Sequence, residues 1–270
     1  IGSGASGVPE DTSTLPVVLT EDGLSHIAGT SLFDIRGTKS LVQNQEATDF
    51  CISADESLVV LLGQGKIYSY NLGILKNSTL LIDDRYGLIA PSIDPFNNIW
   101  TTTSAPGSSV RITDIIGSQK ALANPFGPRT IIRSLAVSPE GSRLAILHDT
   151  TKGTEVTVFA VLRDKSRKVI GFGEPYAITE FGKRVKSISW ADHSTITGLV
   201  EDNEGYQSTV QAMVGGPESI QRRTIDGLAA ITVIGGNQYY LDSDGGLFVS
   251  RSIGWDRLRS AVKAIHMAGQ

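Results

Sequence analysis

The chain has 270 residues and a formal net charge of −4; 19% of its residues are charged and 40% are hydrophobic. This composition is that of a globular protein and excludes a disordered one. The mild negative charge argues against nucleic-acid binding, which needs a basic face. Cys51 is the only cysteine in the sequence, so an internal disulfide and a cysteine-based metal site are both excluded.

Residues 1–16 are rich in Gly, Ser, Thr and Pro, and we expect a flexible arm there. The segment Gly2–Gly7 has the spacing of a dinucleotide-binding loop, but that loop needs a strand before it and a helix after it. We assign no nucleotide site to it and expect residues 17–270 to form a single domain. No apolar run reaches the roughly 20 residues that span a bilayer. Because no signal peptide precedes Ile1, we expect the chain to be a processed or excised part of a longer protein.

One β-hairpin pattern organises the rest of the chain. In the segment Arg133–Leu147, two apolar runs flank a Ser-Pro-Glu-Gly turn. Pro139 sets φ for the second position of a type I turn, and Gly141 suits the position that closes it. The second strand, Leu144–Leu147, is apolar on both faces. Such a strand indicates packing on both sides of the sheet.

Weaker copies of this hairpin recur at intervals of about 41 to 53 residues, which is typical of four-stranded propeller blades. The aligned turn positions are Ser53, Asp94, Ser138, Ala191 and Gly235. A further unit at the N-terminal end has three predicted strands, Val17–Thr20, Leu24–Ala28 and Leu32–Ile35. A ring of stacked sheets buries both faces of each hairpin, which a lone hairpin cannot do. We therefore predict an all-β propeller of about six four-stranded blades, with five or seven left open.

The unit boundaries follow from the turns between apolar runs. We expect the units after the first at residues 47–82, 88–116, 131–178, 185–225 and from 228 onward. The N-terminal strands could pair with the final blade and so close the ring. Helix signals are almost absent. The segment Trp255–Ile265 shows both helical spacing and strand alternation, and the sequence leaves its structure open.

Candidate metal and cofactor sites are weak. The four histidines, His26, His148, His193 and His266, fall in four different predicted units without metal-ligand spacing. The segment Asp242–Gly246 looks like half a calcium loop but lacks the later bidentate Glu. Asp-Gly between two strands indicates a hairpin turn instead. We predict no metal and no cofactor.

The sequence offers little catalytic chemistry. It contains no G-x-S-x-G nucleophile motif. The acidic pairs Asp83-Asp84 and Glu201–Glu204 could serve a glycosidase, but both fall in predicted turns. We predict that the chain is not an enzyme. The alternatives are a propeller hydrolase or lyase with His, Asp or Glu from several blades on the axis, or a small-ligand or sugar-binding propeller with aromatic residues around the funnel.

The densest basic run lies in the longest predicted connection between strands, where propellers often carry binding loops. Its candidate partner-binding residues are Arg163, Lys165, Arg167 and Lys168. They could contact an acidic partner or acidic lipid headgroups; the alternative, which the composition favours, is a solvated loop without a partner.

The chain resembles the β-propeller domain of the actinobacterial lipoprotein LpqB over roughly Val17 to Gly269. The resemblance lies in Arg133–Ala145, in Val185–Trp190 and in the ending from Asp244 through Trp255 to Gly269. Met267-Ala268 departs from the Tyr-Pro-Gly-like tail that is common in the family.

The resemblance implies an extracytoplasmic, lipid-anchored parent protein with an acylated cysteine and a domain of the GerMN type before the propeller. It also implies a non-catalytic role. The partner would be the extracytoplasmic domain of a sensor histidine kinase of the MtrA–MtrB two-component system, whose signalling the propeller would modulate. The membrane would be reached through the lipid anchor of the parent protein and not through this domain. No catalytic residue is carried over.

Overall fold

A computed structural model describes residues 15–73, 78–83, 87–114, 116–216 and 219–269. Over these residues the chain forms six antiparallel sheets of four strands each. One strand from every sheet contributes to the lining of a common central cavity, so the sheets are the blades of a ring around an axis. The predicted all-β propeller and its six blades are confirmed. Most of the predicted arm, residues 1–14, lies outside the described residues.

The strands of the N-terminal half contain two to six residues each. They are β1 (Val17–Thr20), β2 (Gly23–Ala28), β3 (Ser31–Asp34), β4 (Ala47–Ile52), β5 (Leu58–Gly63), β6 (Lys66–Asn71), β7 (Ser78–Asp83), β8 (Ser92–Ile93), β9 (Ile99–Thr101), β10 (Val110–Thr113) and β11 (Gln119–Leu122).

The C-terminal half contains the longest hairpin. Its strands are β12 (Ile132–Val137), β13 (Arg143–Thr150), β14 (Gly153–Arg163), β15 (Val169–Ala177), β16 (Val185–Trp190), β17 (Thr195–Glu201), β18 (Gln207–Met213), β19 (Ser219–Arg223), β20 (Leu228–Ile234), β21 (Asn237–Asp242), β22 (Leu247–Ser250), β23 (Trp255–Arg259) and β24 (Ala264–His266).

Blade 1 contains β24, β1, β2 and β3, from the axis outward, and blades 2 to 6 each contain four successive strands. These are β4–β7, β8–β11, β12–β15, β16–β19 and β20–β23. Because each blade has four antiparallel strands, the chain leaves a blade on the face where it entered it, and the innermost strands of all blades run from one face of the ring to the other. We call the face where they begin the upper face and the opposite one the lower face.

The hairpin β12–β13 forms with the predicted turn. The N–H group of Gly141 donates a hydrogen bond to the carbonyl oxygen of Ser138 (2.8 Å), and Gly141 has a φ of 74°. A side chain with a Cβ is strained at this φ. Ala136 lies opposite Ala145 in the paired strands, so the register agrees with the symmetric pairing that the turn predicts.

The two faces of β13 belong to two different cores, as its sequence predicts. Leu144 and Ile146 pack in the core between blades 3 and 4. Ala145 and Leu147 pack in the core between blades 4 and 5. Since each inter-blade core draws side chains from two sheets, one blade is not an independent packing unit.

The ring is closed by the end of the chain. Strand β24 pairs with β1, and Val17, Val18 and Leu19 lie opposite His266, Ile265 and Ala264. The N-terminal strands therefore form the blade that completes the ring together with the last strand. The segment Trp255–Ile265, whose structure the sequence leaves open, contains β23 and the start of β24. Its strand alternation therefore predicts its structure better than its helical spacing does.

A helix that the sequence does not predict joins blades 1 and 2. This helix, α1 (Thr38–Gln45), follows Gly37, which has a φ of 82°, and its N-terminus receives no hydrogen bond from a capping side chain. Such a start lacks the usual N-cap signal. Leu41 and Val42 are buried in the core around blades 1 and 2, and this tertiary packing stabilises the short helix.

Candidate functional site

The axial cavity has a volume of about 190 Å³ and is lined by the innermost strands of all six blades. Many of its polar groups join neighbouring blades. The hydroxyl of Ser189 accepts a hydrogen bond from the N–H of Val233 (3.1 Å), and that of Thr232 donates to the carbonyl of Ile265 (3.0 Å). The indole N–H of Trp190 donates to the carbonyl oxygen of Ala136 in blade 4 (2.9 Å). These side chains therefore hold the ring together.

The axis also contains one close pair of ionisable groups. Nε2 of His266 lies 2.6 Å from Oδ1 of Asp49, and Lys263 lines the same cavity. Within the described ranges, no three His, Cys, Asp or Glu side chains are grouped so that they could hold a metal ion.

A second cavity of about 570 Å³ opens on the upper face beside the axis, with which it shares Leu241 and Lys263. Its lining includes the turn between β21 and β22, which forms as predicted. There Oδ1 of Asp242 accepts hydrogen bonds from the N–H groups of Asp244 (2.9 Å) and Gly246 (2.6 Å). Asp242 therefore stabilises the turn, as a turn carboxylate commonly does.

The predicted basic loop connects β14 and β15 at the lower outer rim of blade 4. Oδ1 of Asp164 accepts hydrogen bonds from the N–H groups of Ser166 (2.8 Å) and Lys168 (3.0 Å). Lys165, Arg167 and Lys168 are exposed. The turn therefore has a defined backbone from which three cationic side chains project.

Arg163 differs from the other three candidates because it is largely buried. Its Nη2 atom lies 2.6 Å from Oδ2 of Asp94, and the two side chains are 13% and 0% exposed. The same nitrogen donates to the carbonyl oxygen of Gly141 (3.1 Å), and Nη1 donates to that of Arg167 (3.0 Å). Its guanidinium also lies over the ring of Phe96, 4.5 Å from the ring centroid. Arg163 thus fixes the base of the loop to the β8–β9 turn of blade 3.

Sequence reasoning does not identify Asp94 as part of this site. Asp94 and Arg163 are separated by 69 positions in the chain, and Asp94 reads as an ordinary turn residue. Its carboxylate does accept the turn hydrogen bonds, from the N–H groups of Phe96 (2.9 Å) and Asn98 (3.0 Å). The other oxygen, Oδ2, faces Arg163 of blade 4. The sequence pattern does not reveal this orientation.

The histidines fall in three blades, so the prediction of four different units is wrong. His266 lies in β24, which completes blade 1, where His26 also lies. Nε2 of His26 is 3.1 Å from Oε2 of Glu56 in blade 2. Both blade 1 histidines therefore pair with carboxylates of blade 2. His193 is exposed in the turn between β16 and β17.

His148 is a buried histidine in blade 4. Its ring stacks on Phe126 with 3.6 Å between the ring centroids, and Nε2 lies 3.0 Å from the hydroxyl oxygen of Thr157. Burial lowers the pKa of His148 below its ordinary value, against a smaller opposing effect of the Asp149 carbonyl. The folded state therefore favours the neutral ring.

We expect the stability of the propeller to fall when the pH drops below about 6.5, because the unfolded chain then protonates His148 more readily than the folded chain does. Above that pH the His148 ring is neutral in both states, and its contribution to the free energy of unfolding no longer changes with pH. In His148→Asn this part of the pH dependence should disappear, while His193→Asn should keep it. Urea unfolding of the three proteins between pH 5 and pH 8 measures the difference. An identical pH slope in His148→Asn and the wild type would contradict the assignment.

The structure has six four-stranded blades around an axis, and the last strand of the chain completes the first blade. This arrangement defines a six-bladed β-propeller. Residues 22–264 match the family model of the lipoprotein LpqB β-propeller domain. The chain therefore belongs to the LpqB β-propeller family, as its resemblance implies. Among the helices of the described residues, none combines the length and the apolar character of a membrane span.

Solved structures with the same fold have very different sequences. A chain from the crystal structure of a nidogen/laminin complex has a TM-score of 0.66 at 10% identity, with 95% of this chain and 99% of that chain covered. TolB from Acinetobacter baumannii has a TM-score of 0.65 at 12% identity, with 96% and 68% covered. A prolyl endopeptidase has a TM-score of 0.53 at 13% identity, with 84% and 36% covered. These similarities establish the fold alone. No curated protein sequence matches the chain.

Proposed function

We propose that this propeller is a non-catalytic binding domain of a cell-envelope lipoprotein. In this proposal it lies outside the cytoplasm, and the parent protein is held at the membrane by its lipid anchor. It binds the extracytoplasmic domain of a sensor histidine kinase of the MtrA–MtrB type and thereby modulates a two-component system. Membership of the LpqB β-propeller family supports the envelope setting.

The observation that carries the proposal is the fixed basic loop. Arg163 anchors it through a buried ion pair, and Lys165, Arg167 and Lys168 project from it into solvent. Charged groups held in a defined geometry speed and orient the encounter with a partner of opposite charge. We therefore propose that Lys165, Arg167 and Lys168 contact an acidic surface of the kinase and that Arg163 holds them in position.

The alternative is a small-ligand site, or an enzyme active site, at the axis. The upper cavity of about 570 Å³ favours this alternative, since ligand pockets commonly have volumes of about 300–1,000 Å³. Several polar groups of the axial wall, however, already bond to the neighbouring blade. The kinase-binding proposal therefore places the contact on a rim of the ring and not on the axis.

The proposal predicts saturable binding between this chain and the purified extracytoplasmic domain of the sensor kinase from the same organism. Affinity should fall with added salt, because exposed charges are screened. Reversing three charges in Lys165→Glu/Arg167→Glu/Lys168→Glu should weaken binding by about tenfold or more and flatten the salt dependence. Biolayer interferometry at low and high salt measures both effects.

Lys152→Glu is the matched control, because Lys152 is an exposed lysine in the β13–β14 turn on the upper face of the same blade. Its affinity should equal that of the wild type. The absence of wild-type binding at high micromolar concentration would contradict direct docking by this domain. Equal loss in the control and in the triple variant would contradict the assignment to the loop.

A further inference from the structure

We propose that the kinase contacts a composite surface of blades 3 and 4, in which apolar side chains and a small cavity lie beside the basic loop. This inference rests on the proposed function for the identity of the partner. We call this surface the blade 3–4 patch. It consists of Phe96, Ile116, Lys165, Arg167, Lys168 and Ile170.

Direct contacts join blade 3 to blade 4 at this patch. The guanidinium groups of Arg163 and Arg167 lie 4.5 Å and 5.5 Å from the centroid of the Phe96 ring. Nζ of Lys120 in blade 3 donates a hydrogen bond to the carbonyl oxygen of Val169 in blade 4 (2.8 Å). The lower turns of blade 3 and the loop of blade 4 are therefore held together at two places.

A small cavity lies between these two blades. It has a volume of about 160 Å³, and its lining includes Ile112 and Lys120 from blade 3 and Lys168 and Val169 from blade 4. It has room for one protruding side chain of a partner, and the rest of its lining is polar: Asn98, Asp114, Ser118 and Gln119. Pockets that receive a single anchoring side chain are where binding energy concentrates at protein interfaces.

Three apolar side chains are exposed beside this cavity. Ile116 is 82% exposed. It lies at the tip of a turn in which its N–H group donates a hydrogen bond to Oδ1 of Asp114 (3.1 Å). Ile170 is 54% exposed and lies at a register shift between β14 and β15, where it has no cross-strand partner. Phe96 is 38% exposed. An apolar centre with a charged rim is the usual anatomy of an interface.

The charges of the patch select an acidic partner. In the described part of the chain, no carboxylate lies within ion-pair distance of Lys165, Arg167 or Lys168. The carboxylates of Asp114 and Asp164 accept hydrogen bonds from backbone N–H groups of their own turns. The three cations therefore remain available to carboxylates of another molecule.

A folded protein fits this patch better than a lipid surface does. The cavity and the Arg167 guanidinium over Phe96 have a defined shape, and a planar guanidinium held in place matches a carboxylate of fixed position. A bilayer surface offers mobile headgroups, for which such a shape gives no advantage. The occupant that we assign is thus an acidic face of the kinase domain with a protruding side chain.

The test compares two isoleucines that lie at equivalent places. Ile116 lies in the turn between the two outer strands of blade 3, and Ile253 lies in the corresponding turn of blade 6, where it is 93% exposed. We expect Ile116→Ser to weaken binding to the kinase extracytoplasmic domain by about tenfold and Ile253→Ser to leave it unchanged. Equal unfolding temperatures of both variants and the wild type would show that folding is unaffected.

Three outcomes overturn the inference, and they are distinguishable. Wild-type affinity in Ile116→Ser would exclude the patch while leaving the proposed function standing. Failure of the wild type itself to bind would remove the proposed function. A membrane would be the occupant instead if the wild type sediments with vesicles of anionic lipid but not with vesicles of neutral lipid. In that case Ile116→Ser should lose the sedimentation and Ile253→Ser should keep it.

Discussion

Asp94→Ala is expected to lower the free energy of unfolding by about 3–5 kcal/mol, because it leaves the buried guanidinium of Arg163 without its counter-ion. The same substitution removes the acceptor of the Trp100 indole N–H, which lies 3.0 Å from Oδ2. It also removes the acceptor of the turn N–H groups of Phe96 and Asn98. Urea denaturation followed by tryptophan fluorescence and circular dichroism measures the loss.

The variant Asp114→Ala distinguishes the stability contribution of the ion pair from that of the turn hydrogen bonds. Asp114 makes the same two backbone contacts, with the N–H groups of Ile116 and Ser118, but at a partly exposed site in blade 3. Its loss should cost about 1 kcal/mol. The double variant Asp94→Ala/Arg163→Met should recover part of the stability that Asp94→Ala loses, since no unpaired charge remains. Equal costs for the two single alanine variants would contradict the role assigned to the pair.

Ending the chain at Lys263 is expected to abolish cooperative folding of the ring. The truncation removes β24, and with it the pairing partner of β1. It also removes Ile265, which is 3% exposed and whose carbonyl oxygen accepts a hydrogen bond from Thr232. Losing one buried Ile side chain costs about 2–5 kcal/mol. Together with a strand, this loss approaches the total stability of an ordinary domain, about 5–15 kcal/mol.

A synthetic peptide of residues 262–270 tests whether the missing strand alone is responsible. Added to the truncated chain, it should restore a cooperative thermal transition, because an extended peptide can complete an open sheet edge. A peptide with the same residues in scrambled order should not. Calorimetry with each peptide measures the difference. A cooperative transition of the truncated chain near the wild-type temperature, without peptide, would contradict the closure argument.

The blades could be predicted from local patterns in the sequence. The Ser138–Gly141 turn and the apolar run after it define both the hairpin and the two faces of β13, because turn chemistry and strand alternation are local properties. Helix α1 could not be predicted, since its stability comes from burying Leu41 and Val42 and not from capping. Ring closure by the N-terminal strands could be anticipated, but the membership of β24 in blade 1 could not, because local sequence patterns do not determine which sheet edge a strand pairs with.

The candidate site was predictable only in part. A run of basic residues in a long connection is visible in the sequence, and the structure places Lys165, Arg167 and Lys168 in solvent. Arg163 instead forms a buried ion pair with Asp94, which belongs to another blade. The basic run alone does not indicate this partner. The same limit applies to the cavity between blades 3 and 4, whose walls come from two distant parts of the chain.

The pairing of β24 with β1 also determines where the two ends of the described chain lie. Val17 begins β1 directly opposite His266, which ends β24, so both strands leave the sheet side by side at the lower face. The chain after β24 then passes to blade 2, where the N–H group of Gly269 donates a hydrogen bond to the carbonyl oxygen of Ile52 (2.7 Å). The end of the chain therefore joins blade 1 to blade 2 in addition to closing the ring.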